Sequence, residues 1–398
     1  MKKVNYDNPL SSIFVDGLFR FFAVVLLFVS LLYEQKNLIL ISILILLMFY
    51  GAKTWSYFSI RKIHYSFDAE KKKGFPGEKV KLQARISNNK LLPVWITLRI
   101  PIDQEIIKED NNSINEDFYL LWYDQISWQW DLTATKRGCF QIGPPFLESG
   151  DLLGFFKKRK YLSESMEMIV YPRQIALNFI SAPTKDLFGK PGITSPVKDP
   201  IYPISTQNYY PGDPAKHIHW KASARHSQLQ SKIFEPSSQK KILLILDVTS
   251  FNSENQEQSF EKTLEVTAAY FLQLNEQGIP FGIITNSKMA GGYSTRLPIA
   301  TGSDQLSEAM EFLARIQMEP EHPLEEILFQ NKLLIGGIGV IFCAYKLDKI
   351  NIQITGLLKE YNIPAYFIIS EMPDLAIGSQ PEIFLLEKLH GGYINNNI

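Results

Sequence analysis

Acidic and hydroxyl side chains follow a strongly apolar run in the second half of this sequence. The run covers residues 242–248, and Asp247 lies near its end, with Thr249 and Ser250 directly behind it. A carboxylate beside hydroxyl groups offers hard oxygen ligands, which divalent cations such as Mg²⁺ prefer. The chemistry that this pattern would support is therefore Mg²⁺ binding by Asp247 and Thr249. The alternative is a structural role, in which Asp247 caps the following helix or accepts hydrogen bonds from loop amides.

A second concentration of polar and aromatic side chains lies in residues 209–225, which we call the hallmark segment. Its basic and aromatic residues surround a Pro-Gly-Asp-Pro turn, and those that stand out are Tyr209, Gly212, Asp213, Lys216, Trp220, Lys221 and Arg225. The segment could bind a partner through its basic face. It could equally act as an interdomain clasp through an ion pair between Asp213 and Arg225, with Trp220 packed against a domain as an anchor.

The sequence lacks the short motifs of several enzyme classes. It contains no Gly-x-x-x-x-Gly-Lys-(Ser/Thr) loop, no Gly-x-Ser-x-Gly elbow and no His-Glu-x-x-His motif. His217 and His219 would share one face of a strand, but no third ligand for zinc is in view. Lys+Arg and Asp+Glu both number 41, whereas nucleic-acid binding usually needs a net basic surface. We therefore expect a protein that is not an enzyme and does not bind nucleic acid.

The elements that would position the acidic site lie in residues 240–398. Continuous apolar runs there alternate with segments of helical period. The predicted strands cover residues 242–248, 279–285, 338–345 and 365–370, and the predicted helices cover 256–277, 303–317 and 349–361. Apolar strands separated by helices indicate a mainly parallel sheet covered on both faces, with ligand sites beyond the carboxyl ends of its strands. An α/β domain is therefore predicted for this part of the chain.

Residues 61–175 have a different period. Short segments of alternating polar and apolar residues, for example 79–88 and 126–134, are separated by turn residues. This alternation is typical of antiparallel strands and predicts a small β-sandwich. Trp122, Trp128 and Trp130 are expected to fill or rim its core. Residues 176–239 are interpreted as a linker that carries the hallmark segment.

Two apolar runs, residues 18–33 and 38–51, open the chain. Each is near the shortest length that crosses a hydrocarbon core of about 30 Å. Basic residues flank the pair on both sides, whereas only Lys36 lies between the runs. The positive-inside rule then places both flanks in the cytoplasm. Residues 1–60 are therefore predicted to form a hairpin of two transmembrane helices, with the N-terminus and the soluble domains cytoplasmic.

The hallmark segment also carries a family resemblance. Its turn is followed by Ile218, then Trp220-Lys221, and then Ala224-Arg225. With the residues before them, these are similar to the hallmark of the domain-of-unknown-function 58 family, bacterial proteins tethered to a membrane. Gln207 stands where the family has an arginine. The order of two spans, β-domain, hallmark and α/β domain resembles the family along nearly the whole chain.

The resemblance implies a fold and a partner. Residues 240–398 would form a domain like that of von Willebrand factor A, whose metal site has Asp-x-Ser-x-Ser where this chain has Asp247, Thr249 and Phe251. The implied location is the bacterial inner membrane, and the implied partner is a MoxR-type AAA+ ATPase, which would supply the nucleotide chemistry.

Two hypotheses of function follow, the first from the resemblance and the second from the polar groups concentrated beside a strand end. The first is a membrane-anchored cytoplasmic adaptor or scaffold that works with the ATPase in the assembly or maturation of cell-envelope proteins. The alternative is a metal-assisted hydrolytic enzyme that uses Asp247, Asp213 and His217 in a cleft between the β and α/β domains.

Overall fold

The computed structural model describes residues 11–103, 106–108, 114–177, 198–210, 218–236, 241–330, 338–360, 363–372 and 382–393. The chain divides into two compact units, Met1–Val170 and Tyr171–Ile398. The first unit combines two helices with mainly antiparallel sheets, and the second is a mixed α/β unit.

The first unit begins with the helices α1, Ser11–Leu32, and α2, Lys36–Ser59. Among the described helices, α2 is long and apolar enough to cross a membrane, whereas the apolar part of α1, Arg20–Leu32, is shorter. Many large apolar side chains of both helices are exposed, including Leu18 at 62 % and Leu47 at 71 %. Exposed apolar surface of this extent marks a face that contacts lipid or another apolar partner. The structure therefore supports one of the two predicted spans by length and composition.

Eleven strands lie in the described residues of the β-rich part of the first unit. They are β1 Ile63–Ala69, β2 Lys73–Gly74, β3 Lys79–Asn88, β4 Val94–Ile100, β5 Ile106–Lys108, β6 Ile114–Leu120, β7 Gln125–Ala134, β8 Gly138–Ile142, β9 Phe146–Gly150, β10 Lys157–Tyr161 and β11 Met166–Val170. Two antiparallel four-stranded sheets have the orders β1-β3-β7-β5 and β10-β9-β4-β6, and a third sheet has the order β2-β11-β8. Alternate residues of β3 and β4 are buried, and one apolar core contains side chains from both large sheets. This is the packing of a β-sandwich, as the alternating sequence predicts.

The three tryptophans expected in or around this core differ in depth. Trp130 is 3 % exposed, and its indole donates a hydrogen bond to Glu116 Oε1 (3.1 Å). Trp128 lies on the same face of β7 because it is two residues away, but it is 47 % exposed and rims the core. Trp122 lies in the loop after β6 and is 60 % exposed.

The second unit has strands and helices in alternation. Its strands are β12 Ile175–Leu177, β13 Lys198–Asn208, β14 Gln230–Pro236, β15 Lys241–Leu246, β16 Phe281–Thr285, β17 Ser287–Met289, β18 Arg296–Ala300, β19 Ile316–Pro320, β20 Ile338–Ala344, β21 Ala365–Ile369, β22 Glu382–Leu385 and β23 His390–Tyr393. Its helices are α3 Trp220–His226, α4 Thr249–Ser253, α5 Glu257–Glu276, α6 Ser303–Arg315, α7 Leu324–Gln330, α8 Lys349–Glu360 and α9 Leu386–Leu389.

A six-stranded sheet with the order β18-β16-β15-β20-β21-β22 forms the centre of this unit. All neighbouring pairs are parallel except β16 with β18. Side chains of β15 alternate between two cores: Leu244 packs in the core that includes α5 and α6, and Leu243 packs in the core that includes α7 and α8. Burial on both faces explains why the sequence of this strand is continuously apolar.

Smaller sheets complete the second unit. β13 pairs antiparallel with β14, β12 pairs with β23, and β17 pairs with β19. The segment interpreted as a linker, residues 176–239, thus contains a two-stranded sheet that the sequence analysis did not predict.

Candidate functional site

The carboxyl edge of the six-stranded sheet has a position where neighbouring connections diverge. The chain leaves β15 toward β16 on one side, whereas it leaves β20 toward β21 on the other. Doubly wound sheets form a crevice at such a switch point, and ligands bind there. Asp247 directly follows β15, and residues 345–348 directly follow β20. The side chain that the sequence singles out therefore lies at the topological switch point.

Amide groups from three different segments hold the Asp247 carboxylate. Its Oδ1 accepts hydrogen bonds from the Thr249 backbone N–H (3.0 Å) and from Asn286 Nδ2 (3.0 Å). Its Oδ2 accepts one from Asn351 Nδ2 (3.1 Å). Asp247 is only 4 % exposed, so these donors replace the water that would otherwise solvate the charge. The carboxylate thus joins the ends of β15 and β16 to the first turn of α8.

Asn286 is the second centre of this network. It directly follows β16, and its Oδ1 accepts a hydrogen bond from the Val248 backbone N–H (2.8 Å). Its Nδ2 donates to Thr249 Oγ1 (2.8 Å) as well as to Asp247. The structure therefore brings Asp247 and Thr249 together, as the sequence predicts, and adds an asparagine between them.

The two positions after Thr249 face the interior of the unit. Ser250 is fully buried, and its Oγ accepts a hydrogen bond from the Tyr345 backbone N–H (3.1 Å). Phe251, which stands where the second hydroxyl of a von Willebrand factor A metal site would be, is also fully buried. Its ring lies 5.5 Å from the ring of Phe260 and 5.9 Å from that of Tyr345, between centroids. This position therefore contributes to the apolar core.

Further acidic groups surround the network. Burial raises the pKa of Asp348, Lys346 offsets part of that shift, and the charges of Asp247 and Glu254 raise the pKa further. Lys346 forms an ion pair with Glu254 at the exposed rim. Among the residues that the structure describes, no three His, Cys, Asp or Glu side chains converge as a metal-binding group.

Among the described residues, one buried oxygen of the network finds no hydrogen-bond partner. Asn351 is 1 % exposed, and its Oδ1 is unpaired although its Nδ2 donates to Asp247. Buried polar atoms are rarely left without a partner. This oxygen therefore gives the Asp247 network an unused acceptor.

The sequence analysis did not identify Asn286, Asp348 or Asn351. The rule that pointed to Asp247 also applies to Asn286, because Asn286 is the first residue after its own strand. Asn351 lies within α8, and no local pattern connects it with Asp247.

The hallmark segment is described only in part. Gly212, Asp213, Lys216 and His217 lie outside the described residues, and with them lies the predicted ion pair between Asp213 and Arg225. The backbone N–H of Tyr209 donates to Leu229 O (2.8 Å), at the end of the β13–β14 hairpin.

The second half of the hallmark segment forms the helix α3. His219 caps its N-terminus, because the ring Nδ1 accepts a hydrogen bond from the Ala222 backbone N–H (3.1 Å). Ser223 Oγ accepts one from the Gln230 backbone N–H (2.9 Å), which attaches the helix to β14. Trp220 is 70 % exposed, and Lys221 and Arg225 are exposed as well. The expectation that Trp220 packs as an anchor is therefore wrong for this conformation, since its side chain lies on the surface.

Comparisons with known proteins agree with the resemblance in this part of the chain. The family described as "Protein of unknown function DUF58" matches residues 205–331. The uncharacterized protein YeaD of Bacillus subtilis (strain 168) is 26 % identical over 250 residues, which cover 58 % of this chain. The aligned part spans 60 % of the length of YeaD.

Solved structures resemble smaller parts of the chain. The CARDB domain of a Pyrococcus furiosus protein is 12 % identical, with a TM-score of 0.19, and the match covers 27 % of this chain and 91 % of that domain. Spo0M, a sporulation control protein from Bacillus subtilis, is 15 % identical, with a TM-score of 0.18, and the match covers 28 % of this chain and 50 % of Spo0M. Similarity at this level has no bearing on function. The match that remains informative is the one with the DUF58 family, which extends from within β13 through α3, Asp247 and Asn286 to α7.

Proposed function

We propose that this protein is a membrane-anchored adaptor that presents its α/β unit to a MoxR-type AAA+ ATPase and thereby serves the assembly or maturation of cell-envelope proteins. The strand order supports an α/β unit like von Willebrand factor A: numbered along the chain, the six strands of its sheet follow the doubly wound order 3-2-1-4-5-6. The exposed apolar side chains of α1 and α2 support an anchor of two helices. In this proposal the anchor lies in the inner membrane, and the β-sandwich and the α/β unit are in the cytoplasm, as the flanking basic residues favour.

The observation that carries the proposal is the surface of α3. An exposed tryptophan beside exposed basic side chains is unusual on a free surface, because burying an aromatic ring stabilises the fold. Tryptophan and arginine are also the residues most enriched at the centres of protein interfaces. Trp220, Lys221 and Arg225 thus combine an apolar contact with positive charge, which suits a partner surface with an apolar pocket and carboxylates around it.

This assignment predicts the effect of a single substitution. Trp220→Ala should weaken binding of the full-length protein to a MoxR-type ATPase from the same organism by about 10-fold or more, since truncating a central interface aromatic removes more than 1 kcal/mol. Binding is measured by microscale thermophoresis with the protein in detergent micelles. Arg225→Ala should weaken it as well.

The matched control for this experiment is Trp122→Ala. Trp122 is exposed to a similar degree, 60 % against 70 %, but it belongs to the first unit. Unchanged affinity of both Trp220→Ala and Arg225→Ala would remove α3 from the interface. An equal loss in the Trp122 variant would indicate non-specific adhesion of exposed aromatic side chains.

The unpaired oxygen of Asn351 favours a second candidate function, a Mg²⁺-dependent site at the switch point. Asp247, Thr249, Asp348 and Asn351 would supply the oxygen ligands that Mg²⁺ prefers, and the ion could polarise a bound ester or activate water for hydrolysis. Asp213 and His217, the other residues of the hydrolytic hypothesis, lie outside the described residues.

Calorimetry tests this metal-dependent candidate function. Titration of Mg²⁺ or Mn²⁺ into the full-length protein should then give saturable binding that both Asp247→Asn and Asp348→Asn abolish. Asp304→Asn, an exposed change at the start of α6, should leave it intact. No saturable heat in the unmodified protein would remove the metal-dependent function and leave the network with a structural role.

A further inference from the structure

One end of the β-sandwich lies against the end of α2. The Asn89 backbone N–H donates to Lys62 O (3.1 Å), and the Tyr123 backbone N–H donates to Lys90 O (3.2 Å). Lys90 Nζ also donates to the backbone oxygens of Ser59 and Arg61. Residues 59–62, the loop 88–92 and the loop 121–124 are thus held together where the apolar helix ends.

The tips of the two loops are apolar and exposed. The exposed fractions are 73 % for Leu91, 56 % for Leu121, 60 % for Trp122 and 67 % for Tyr123. Such side chains at the end of a sandwich have no packing role in the fold. Tryptophan and tyrosine are enriched where a protein meets the headgroup region of a bilayer. The loop tips therefore have the composition of a surface that enters the membrane interface.

A cavity of about 810 Å³ lies between α2, residues 61–62 and the loop 88–92. Its apolar lining is formed by Leu47, Tyr50, Trp55, Phe58, Leu91 and Leu92. Leu47 and Tyr50 are also exposed on α2, so the lining continues the surface that α2 would present to lipid. An alkyl chain matches such a lining because it has no polar atoms to desolvate.

The polar end of this cavity is cationic. The cavity is lined there by Arg61, Lys62 and Lys90. Lys158, on the neighbouring strand β10, adds a further positive charge nearby, and its Nζ lies 4.4 Å from the ring centroid of Tyr57. Lys160 Nζ donates to Ile63 O (3.4 Å). Burial, together with the nearby charge of Lys160, lowers the pKa of Lys90 to about 8. Positive charge is therefore concentrated here, where an anion would relieve the repulsion between the side chains.

We propose that this end of the β-sandwich binds an anionic phospholipid of the membrane, with an acyl chain in the cavity and the phosphate at Arg61, Lys62 and Lys90. The inference rests on the membrane anchor of the proposed function, because α2 must reach the bilayer for its end to meet a headgroup. Basic residues directly after a membrane span attract anionic lipids, and the arginine fork suits a phosphate group. A zwitterionic lipid would offer the same chain but no net charge for these cations.

The test uses the full-length protein and a variant that keeps the Lys90 contacts to the backbone. This variant combines three substitutions of exposed side chains, Arg61→Gln, Lys62→Gln and Lys160→Gln. The matched control combines Lys71→Gln, Lys72→Gln and Lys81→Gln, which are exposed and lie beyond the far end of β1. Binding is measured with nanodiscs of phosphatidylcholine that contain increasing fractions of phosphatidylglycerol, and bound lipids are counted by native mass spectrometry.

The unmodified protein and the control should retain phosphatidylglycerol in preference to phosphatidylcholine. The Arg61, Lys62, Lys160 variant should lose this preference by about 10- to 100-fold, given about 1 kcal/mol for each basic residue near an anionic surface. Equal retention by the variant, or an equal loss in the control, would overturn the inference.

A second readout follows Lys90 itself. A bound phosphate would raise the lowered pKa of its amine and cover it, so acylation of Lys90 at pH 8 should slow when phosphatidylglycerol is present, whereas acylation of Lys81 should not. An unchanged Lys90 rate would overturn the inference.

Failure of the anchor is recognised separately. If the unmodified protein is released from membranes by alkaline carbonate, the anchor itself is wrong. If it stays in the membrane but shows no lipid preference, only the lipid site is wrong.

Discussion

Phe251→Ser is expected to destabilise the α/β unit by about 4 kcal/mol or more, because it empties a buried site of a large aromatic side chain and leaves a hydroxyl there. The substitution restores the second hydroxyl of the Asp-x-Ser-x-Ser pattern, so from sequence alone it would be expected to improve a metal site. In the structure Phe251 is fully buried and contacts Phe260 and Tyr345. Core packing at this position and cation binding are therefore competing uses of one residue.

Hydrogen–deuterium exchange of the full-length protein is the appropriate measurement. Peptides that cover β15 and β20 should exchange much faster in Phe251→Ser, whereas peptides from β3 and β7, in the other unit, should not change and act as an internal reference. Phe251→Leu keeps most of the apolar volume and should cost about 1.5 kcal/mol or less. If the amides of β15 are protected from exchange as strongly in Phe251→Ser as in the unmodified protein, the ring has no packing role at this position.

Asp247→Ala should destabilise the same unit by about 3 kcal/mol, because three N–H donors in a buried network would lose their acceptor. Those donors are the Thr249 backbone, Asn286 and Asn351. Asp247→Asn keeps the shape but replaces one acceptor oxygen by an NH₂ group that faces other donors, so roughly half of that loss is expected. The exchange of peptides at the ends of β15 and β16 and at the start of α8 reports the effect.

Asp304→Asn is the control for this pair, because Asp304 is exposed in the first turn of α6 and its loss should cost below about 1 kcal/mol. If these peptides are protected from exchange equally in Asp247→Ala and in Asp304→Asn, the Asp247 carboxylate has no structural role. The result also bears on the Mg²⁺ candidate, since a carboxylate that the fold needs requires no ion to account for its place at the switch point.

The sequence predicts the central sheet well where burial on both faces leaves a continuous apolar run. The predicted helix 256–277 corresponds to α5, and the predicted helix 349–361 corresponds to α8. In the first unit, the alternating segment 79–88 corresponds to β3. In these cases local hydrophobic periodicity and tertiary packing favour the same structure.

The β13–β14 hairpin was missed for a physical reason. β13 contains Pro200 and Pro203, and proline argues against a strand within a sheet because it cannot donate a backbone hydrogen bond. A sheet of only two strands leaves outward-facing N–H positions that do not need a partner strand, and proline is tolerated there. The polar composition of the segment likewise resembles a loop.

The candidate site was predictable in part. Asp247 and Thr249 are close in sequence and follow a recognisable strand, so they could be identified. Asn286 and Asn351 reach Asp247 only because β16 lies beside β15 and α8 returns over the end of β20. Contacts of this kind depend on strand order and register, which no local pattern encodes.

The pairing of β12 with β23 also has a consequence for biosynthesis. β12 opens the second unit, and its partner is the last strand that the structure describes. During translation the helices and the sandwich leave the ribosome first and can insert or fold as they appear. β12, by contrast, must wait until β23 has been made. A ribosome that stalls within α8 would therefore expose a nascent chain whose first unit is complete and whose second unit is still open to chaperones and proteases.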